Sequence, residues 1–417
     1  MIKLPFTNDA ITLGILLIVL GTIMHTSRSR NRFFLRFYRF VPALVLCYFM
    51  PALLHWPIGL ISSEESQLYY VASRYLLPAS LVLLCLNVDI PAILGLGKKA
   101  IIMFFTATLG IVLGGPISVL IILSFFPGLV PGDPENLWRG LSTIAGSWIG
   151  GGANQTAMKE IYEVSDSLFA TMVIVDILIG NTWLGILLYG VNHKERIDAW
   201  LASDRSAINQ LEKRVADYKE KVTRTMTTTD VYAIMGVAFG ATGLAHLGAD
   251  LLVPLLESSA STIKELRLNS LLSPFFWIVV ISTSIGIGLS FSKARRLEGV
   301  GASSFGSFFI YFLVATIGMK MNVLDIVKNP GLFAIGALWM TIHITSLIVI
   351  AKWIKAPYFF IAVGSTANVG GAASAPVVAN AFSPTLAPVG ALLAVLGYAA
   401  GTYGAILCAT LMELASN

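Results

Sequence analysis

Gly146-Ser147-Trp148-Ile149-Gly150-Gly151-Gly152-Ala153-Asn154-Gln155-Thr156-Ala157 is answered 218 or 219 residues further on by Gly364-Ser365-Thr366-Ala367-Asn368-Val369-Gly370-Gly371-Ala372-Ala373-Ser374-Ala375. Each stretch interrupts a long apolar run, 138–165 in the first half and 358–382 in the second. Consecutive glycines make a poor helix interior and a good tight turn. Each run is therefore expected to be a re-entrant helical hairpin, or else a broken helix, rather than a plain span.

Further landmarks repeat in the same order. Gly180-Asn181-Thr182-Trp183-Leu184-Gly185 corresponds to Gly397-Tyr398-Ala399-Ala400-Gly401. Upstream, Leu86-Asn87-Val88-Asp89-Ile90 corresponds to Met321-Asn322-Val323-Leu324-Asp325-Ile326. Ordered self-similarity of this kind marks an internal repeat.

Composition sets the solvent. Of 417 residues, 56% are hydrophobic and 12% charged, about half the usual globular share. Mean hydropathy is +0.78. That excludes a soluble globule, a disordered chain and a disulfide scaffold, the last because there are only three cysteines. What remains is an all-α polytopic membrane protein. The net charge of +5 is carried largely by short loops beside apolar runs, so it reads as a topology signal and not as nucleic-acid binding. Cys47, Cys85 and Cys408 fall inside apolar runs and read as packing residues.

Arg28, Arg30, Arg32, Arg36 and Arg39 form the densest basic cluster near a span end and should be cytoplasmic. The loop with Glu64 and Glu65 is then outside, Lys98 and Lys99 inside, and 127–135 outside. Lys293, Arg295 and Arg296 also belong inside, which requires an odd number of crossings between 127–135 and the polar linker. Two apolar runs lie there, and the count agrees if the first, 138–165, turns back; broken, fully crossing helices are the rival and need a different crossing count. Each half then holds five spans and one hairpin, about ten spans in all, and an odd number gives the halves opposite orientation. The units are 1–192, a cytoplasmic linker 193–230, and 231–417. Within the linker Ile208, Leu211, Val215, Tyr218 and Val222 follow the spacing of an amphipathic helix.

Non-helical backbone at membrane depth is tolerated where it lines a cavity or is buried in protein. The polar groups around the two turns are therefore candidates for a solute site: Ser147, Gly151, Gly152, Asn154, Gln155 and Thr156, with Ser365, Thr366, Asn368, Gly370, Gly371 and Ser374. Half-helix N-termini suit carboxylates, and carbonyl and amide oxygens suit sodium. Asp176 lies within an apolar run, where a carboxylate is costly and by default functional. With Asn181, Asn154 and Asn368 it is the candidate for cation coupling. Asp89 and Asp325 sit at span ends and read as helix caps; His246 and His343 read as structural.

The two glycine segments, with Asp176-Ile177-Leu178-Ile179-Gly180-Asn181-Thr182-Trp183, resemble the YjcL-like family of bacterial membrane proteins, domain of unknown function 819. That family is similar, more distantly, to sodium/glutamate and 2-hydroxycarboxylate symporters. The resemblance implies a bacterial cell-membrane location, a homodimer, a sodium coupling ion and an elevator mechanism. In it a core bearing both hairpins moves past a static scaffold.

The expectation is a cation-coupled secondary transporter of a small organic anion, amino acid or short peptide, with sodium or a proton as coupling ion and no cofactor. The alternatives are a sodium/proton antiporter and, from another class, a membrane-embedded enzyme or receptor. Zincin, nucleophile-elbow and P-loop signatures do not occur in the sequence.

Overall fold

A computed structural model describes residues 4–41, 43–63, 66–129, 134–203, 225–265, 269–320, 331–383 and 386–416. The amphipathic pattern at 208–222 and the Asn322–Asp325 landmark lie outside them. The described elements are helices. In chain order they are α1 (Asp9–Ser27), α2 (Arg32–Phe40), α3 (Ala43–His55), α4 (Leu68–Leu86), α5 (Lys98–Phe125), α6 (Pro134–Gly150), α7 (Gly152–Ile161), α8 (Asp166–Val191) and α9 (Lys194–Leu201). The second half holds α10 (Thr228–Glu257), α11 (Pro274–Ser290), α12 (Ala302–Gly318), α13 (Gly331–Trp353), α14 (Tyr358–Asn368), α15 (Gly371–Phe382) and α16 (Ala387–Ala415).

Seven of these, α1, α4, α5, α8, α10, α13 and α16, are long and apolar enough to cross a bilayer. The chain is thus a multi-pass membrane protein by the physics of its helices. Three further apolar helices, α3, α11 and α12, are shorter, at 13, 17 and 17 residues. Start signals are local. Asn8 accepts from the Ala10 amide at 2.8 Å to begin α1, and Thr227 with Asp230 forms a reciprocal capping box at α10.

Both glycine segments fold back on themselves. Trp138, early in α6, meets Tyr162, just past α7, edge-on at 5.2 Å between centroids. Tyr358 and Phe359 at the start of α14 meet Phe382 at the end of α15, at 5.7 and 5.3 Å. A crossing helix would separate these ends by the thickness of the hydrocarbon; a hairpin brings them together. Apart from the short α2 and α9, the described first half runs α1, α3, α4, α5, hairpin, α8, and the second runs α10, α11, α12, α13, hairpin, α16.

Packing falls into two sets. In one, α4 lies against α10, α11 and α12, and α3 joins α1 to α12. In the other, α5 lies along α13 and α16, and both hairpins pack on α16. The sets meet where α16 and α7 touch α4 and α11.

Candidate functional site

The site is built from the two hairpin tips. α6 stops at Gly150 because Gly151 takes φ +75° and ψ −171°, a region essentially closed to residues with a Cβ. In the second hairpin Gly370 turns the chain at φ +106°. Both tips rest on α16. A Cβ on Gly397 would stand 2.9 Å from the Ala367 carbonyl and 3.0 Å from the Ile149 carbonyl. The backbones of the two tips therefore converge on one glycine, and only a bare Cα leaves them room. One turn on, Gly401 meets Gly150 equally closely.

Asp176 of α8 lies beside this junction. Its Oδ2 accepts from Ser147 Oγ at 2.6 Å and Gln155 Nε2 at 3.0 Å, and its Oδ1 accepts from Trp148 Nε1 at 2.7 Å. Ser147 and Trp148 come from α6 and Gln155 from α7, so both arms of the hairpin hold one carboxylate. Three donors suit the ionised form, which only accepts. The second tip is close too: a Cβ on Gly180 would be 3.9 Å from Asp176 Oδ1 and 3.6 Å from Val369 Cγ1. Asn181, five residues beyond Asp176, is exposed and stands outside this cluster.

The second hairpin has a matching serine with a different partner. Ser365 Oγ bonds His343 Nε2 at 2.8 Å and accepts from Trp183 Nε1 at 2.8 Å. His343 Nδ1 lies 3.1 Å from the Ala107 carbonyl. A carbonyl cannot donate, so Nδ1 carries the proton and Ser365 donates to Nε2. His343 is thus tied at both nitrogens.

The remaining candidates divide by what they touch. Asn154 donates to the Gly150 and Tyr398 carbonyls, each at 3.2 Å, and accepts from Thr402 Oγ at 2.6 Å; Thr402 in turn bonds Thr283 Oγ of α11 at 3.1 Å. Asn368 donates to the Gly364 and Phe104 carbonyls and accepts from Thr108 Oγ at 2.8 Å. Thr156 and Thr366 bond back to carbonyls of their own helices. Asn368 thus fastens its tip to α5 and Asn154 its tip to α16 in this conformation, while the two threonines stay within their own helices. Gly152 and Gly371 begin the second arms, while Gly370 is exposed and Ser374 half-buried beside it. Asp89 caps the helix Ile90–Gly95 through the Ala92 amide and pairs with Arg295 at 3.1 Å. His246 bonds the Arg74 carbonyl.

One cluster escaped the sequence reading. Lys159, buried at the base of the first hairpin, reaches Tyr69 Oη and Asp166 Oδ1, each at 2.9 Å. Glu160 beside it accepts from the Tyr69 hydroxyl and from Arg74 Nη1 at 3.1 Å. Arg74 sits on a π-helical turn, Ala72–Leu76, inside α4. The base of the hairpin is thereby tied to α4. The available signal was two adjacent charges inside an apolar run, Lys159-Glu160. Among the described residues no three His, Cys, Asp or Glu side chains gather as a metal site; an alkali cation would rely on carbonyl, hydroxyl and amide oxygens instead.

Residues 14–414 match a family described as protein of unknown function (DUF819). Over 355 residues the chain is 23% identical to the uncharacterized membrane protein YjcL of Bacillus subtilis (strain 168), covering 81% of this chain and 82% of that protein.

Proposed function

We propose that this chain, which belongs to the DUF819 family, is a cation-coupled secondary transporter of a small organic anion, amino acid or short peptide in the bacterial cell membrane. The observation that carries the reading is the meeting of two hairpin tips on Gly397 with Asp176 beside them. A static enzyme or receptor pocket has no need of two such turns. A solute site reached alternately from two sides does, and broken helices at such junctions are where transporters bind substrate.

In this reading the first N–H groups of α7 and α15 receive a carboxylate, with Gly152, Gly371 and Ser374 at hand. Sodium takes Asp176 and nearby tip carbonyls. Because three donors now face Asp176, cation entry requires Gln155 to turn its amide oxygen inward. The helices α5, α8, α13 and α16 would carry the tips past α1, α3, α4 and α10–α12 as an elevator, in a homodimer. Sodium/proton antiport is the second reading, favoured by one observation: a second titratable side chain, His343, is bound to a hairpin serine as Asp176 is. No catalytic role is assigned.

The test is a thermal-shift screen of the purified protein against metabolites with and without sodium. A ligand whose stabilisation depends on sodium supports symport. Stabilisation by sodium alone that falls as pH drops supports antiport. Cation-independent binding of every ligand rejects both.

A further inference from the structure

We infer that α2 is an anionic-phospholipid site built at the end of the first span. The helix Arg32–Phe40 follows α1 after four residues and is capped by Asn31, whose side chain accepts from the Phe33 amide at 2.9 Å. Its residues segregate by angle. At 100° per residue Arg32 and Arg36 share one face, and Phe34, Phe37 and Tyr38 the opposite one. The burial agrees, with both arginines exposed and the three aromatics half-buried.

The depth of this helix is fixed by one side chain. Tyr38 Oη bonds Thr26 Oγ1 at 2.6 Å and the Ile23 carbonyl at 3.2 Å. Both partners lie in the last turns of α1, so the aromatic face sits below the end of the span by about one helical turn, roughly 5 Å. That is the level at which interfacial helices bury their apolar side. Phe33 at 67% and Leu35 at 57% exposure flank the arginines at the same level, facing outward with no protein cover. Arg28, Arg30, Arg32 and Arg36 are then all exposed at the headgroup layer, and no ion pair is recorded for them among the described residues. Four guanidinium groups above an immersed aromatic face match a phosphate-bearing lipid. An acidic protein surface would satisfy the arginines and leave Phe33 and Leu35 in water. The occupant is therefore an anionic lipid such as phosphatidylglycerol. This inference is independent of what the protein transports.

The experiment is native mass spectrometry of the full-length protein in micelles holding phosphatidylglycerol and phosphatidylcholine in equal parts. The wild type should retain phosphatidylglycerol preferentially. The triple variant Arg30→Gln, Arg32→Gln, Arg36→Gln should lose that preference by at least about ten-fold, because each basic residue near an anionic surface adds to the attraction. Lysines at the same three positions should restore much of it, since charge is kept. Arg196→Gln, at an exposed position of α9, serves as control and should change nothing. Equal retention of the two lipids by the wild type overturns the inference, as does an undiminished preference in a triple glutamine variant of unaltered elution and helix content.

Discussion

Ser147 on the first hairpin donates its hydroxyl to Asp176 at 2.6 Å, across 29 residues of sequence and two helices. Together with Trp148 and Gln155 it makes the carboxylate the knot of hairpin and helix. Asp176→Asn keeps size, loses charge and turns an amide N–H₂ toward donors. Loss of charge-assisted hydrogen bonds should cost on the order of 1.5–3 kcal/mol of stability. If Asp176 also serves the cation, sodium-dependent stabilisation should vanish in the same variant. Titrating sodium against melting temperature separates the two. An unchanged sodium response would move the ion site to the tip carbonyls and amides.

At Gly151 and Gly371 the tips need glycine for backbone reasons more than for space. Gly151 has no atom nearer than 3.8 Å to a Cβ built on it, and Gly371 has none within 4 Å. Their φ values of +75° and +55° are what a side chain resists. Gly151→Val and Gly371→Val should therefore insert and remain folded, at a cost of roughly 1–3 kcal/mol each, yet abolish sodium-dependent ligand binding. Wild-type binding by both would remove the tips from the site.

If the first glycine segment is re-entrant in the bilayer, its two ends share a face. Asn136→Cys and Ser167→Cys lie on exposed positions at the entry and exit of the hairpin. Both should react with an impermeant thiol reagent added outside intact cells. The native cysteines are buried and leave a clean background. Labelling of the two from opposite sides would mean that the segment crosses.

The Lys159 cluster makes a stability prediction. Lys159→Met strips the half-buried Asp166 and Tyr69 of a charged hydrogen-bond partner, which should cost on the order of 1.5–3 kcal/mol, Lys320 remaining at 3.8 Å from Asp166. Tyr69→Phe removes only a hydroxyl and should cost less. Thermal unfolding in detergent ranks the variants, and a Lys159→Met protein as stable as wild type would show that the cluster is not a fastening.

The hairpins were legible because the signal was local and duplicated: consecutive glycines among apolar residues, found twice. Asp176 draws notice in the sequence because a carboxylate is costly in an apolar run. Its partner Trp148 does not, since a tryptophan in an apolar run reads as packing until its N–H is seen to find an acceptor. Tyr69 and Glu160 stand 91 residues apart, and no periodicity pairs them. Asn154 and Asn368 were read as ligand groups, whereas here their amides are occupied by Thr402 and Thr108 and by carbonyls. Small amides at a turn look alike in sequence whether they face a cavity or a neighbouring helix. The run at 40–61 resolves into the short α3 because the apolar stretch Trp56–Leu60 continues as turn and not as helix. Hydropathy registers burial in lipid or protein, not backbone conformation.

In an alternating-access transporter the junction of the two tips is reached from both sides of the membrane. Ser374→Cys places a thiol half-buried beside Gly370, and sealed vesicles of known orientation allow an impermeant reagent to be offered from either face. Reaction is expected from both faces. Restriction to one face is further expected when Thr283→Cys and Thr402→Cys, whose hydroxyls now stand 3.1 Å apart between α11 and α16, are oxidised to a disulfide. Reaction from a single face in the unlocked protein, with and without sodium, would contradict alternating access.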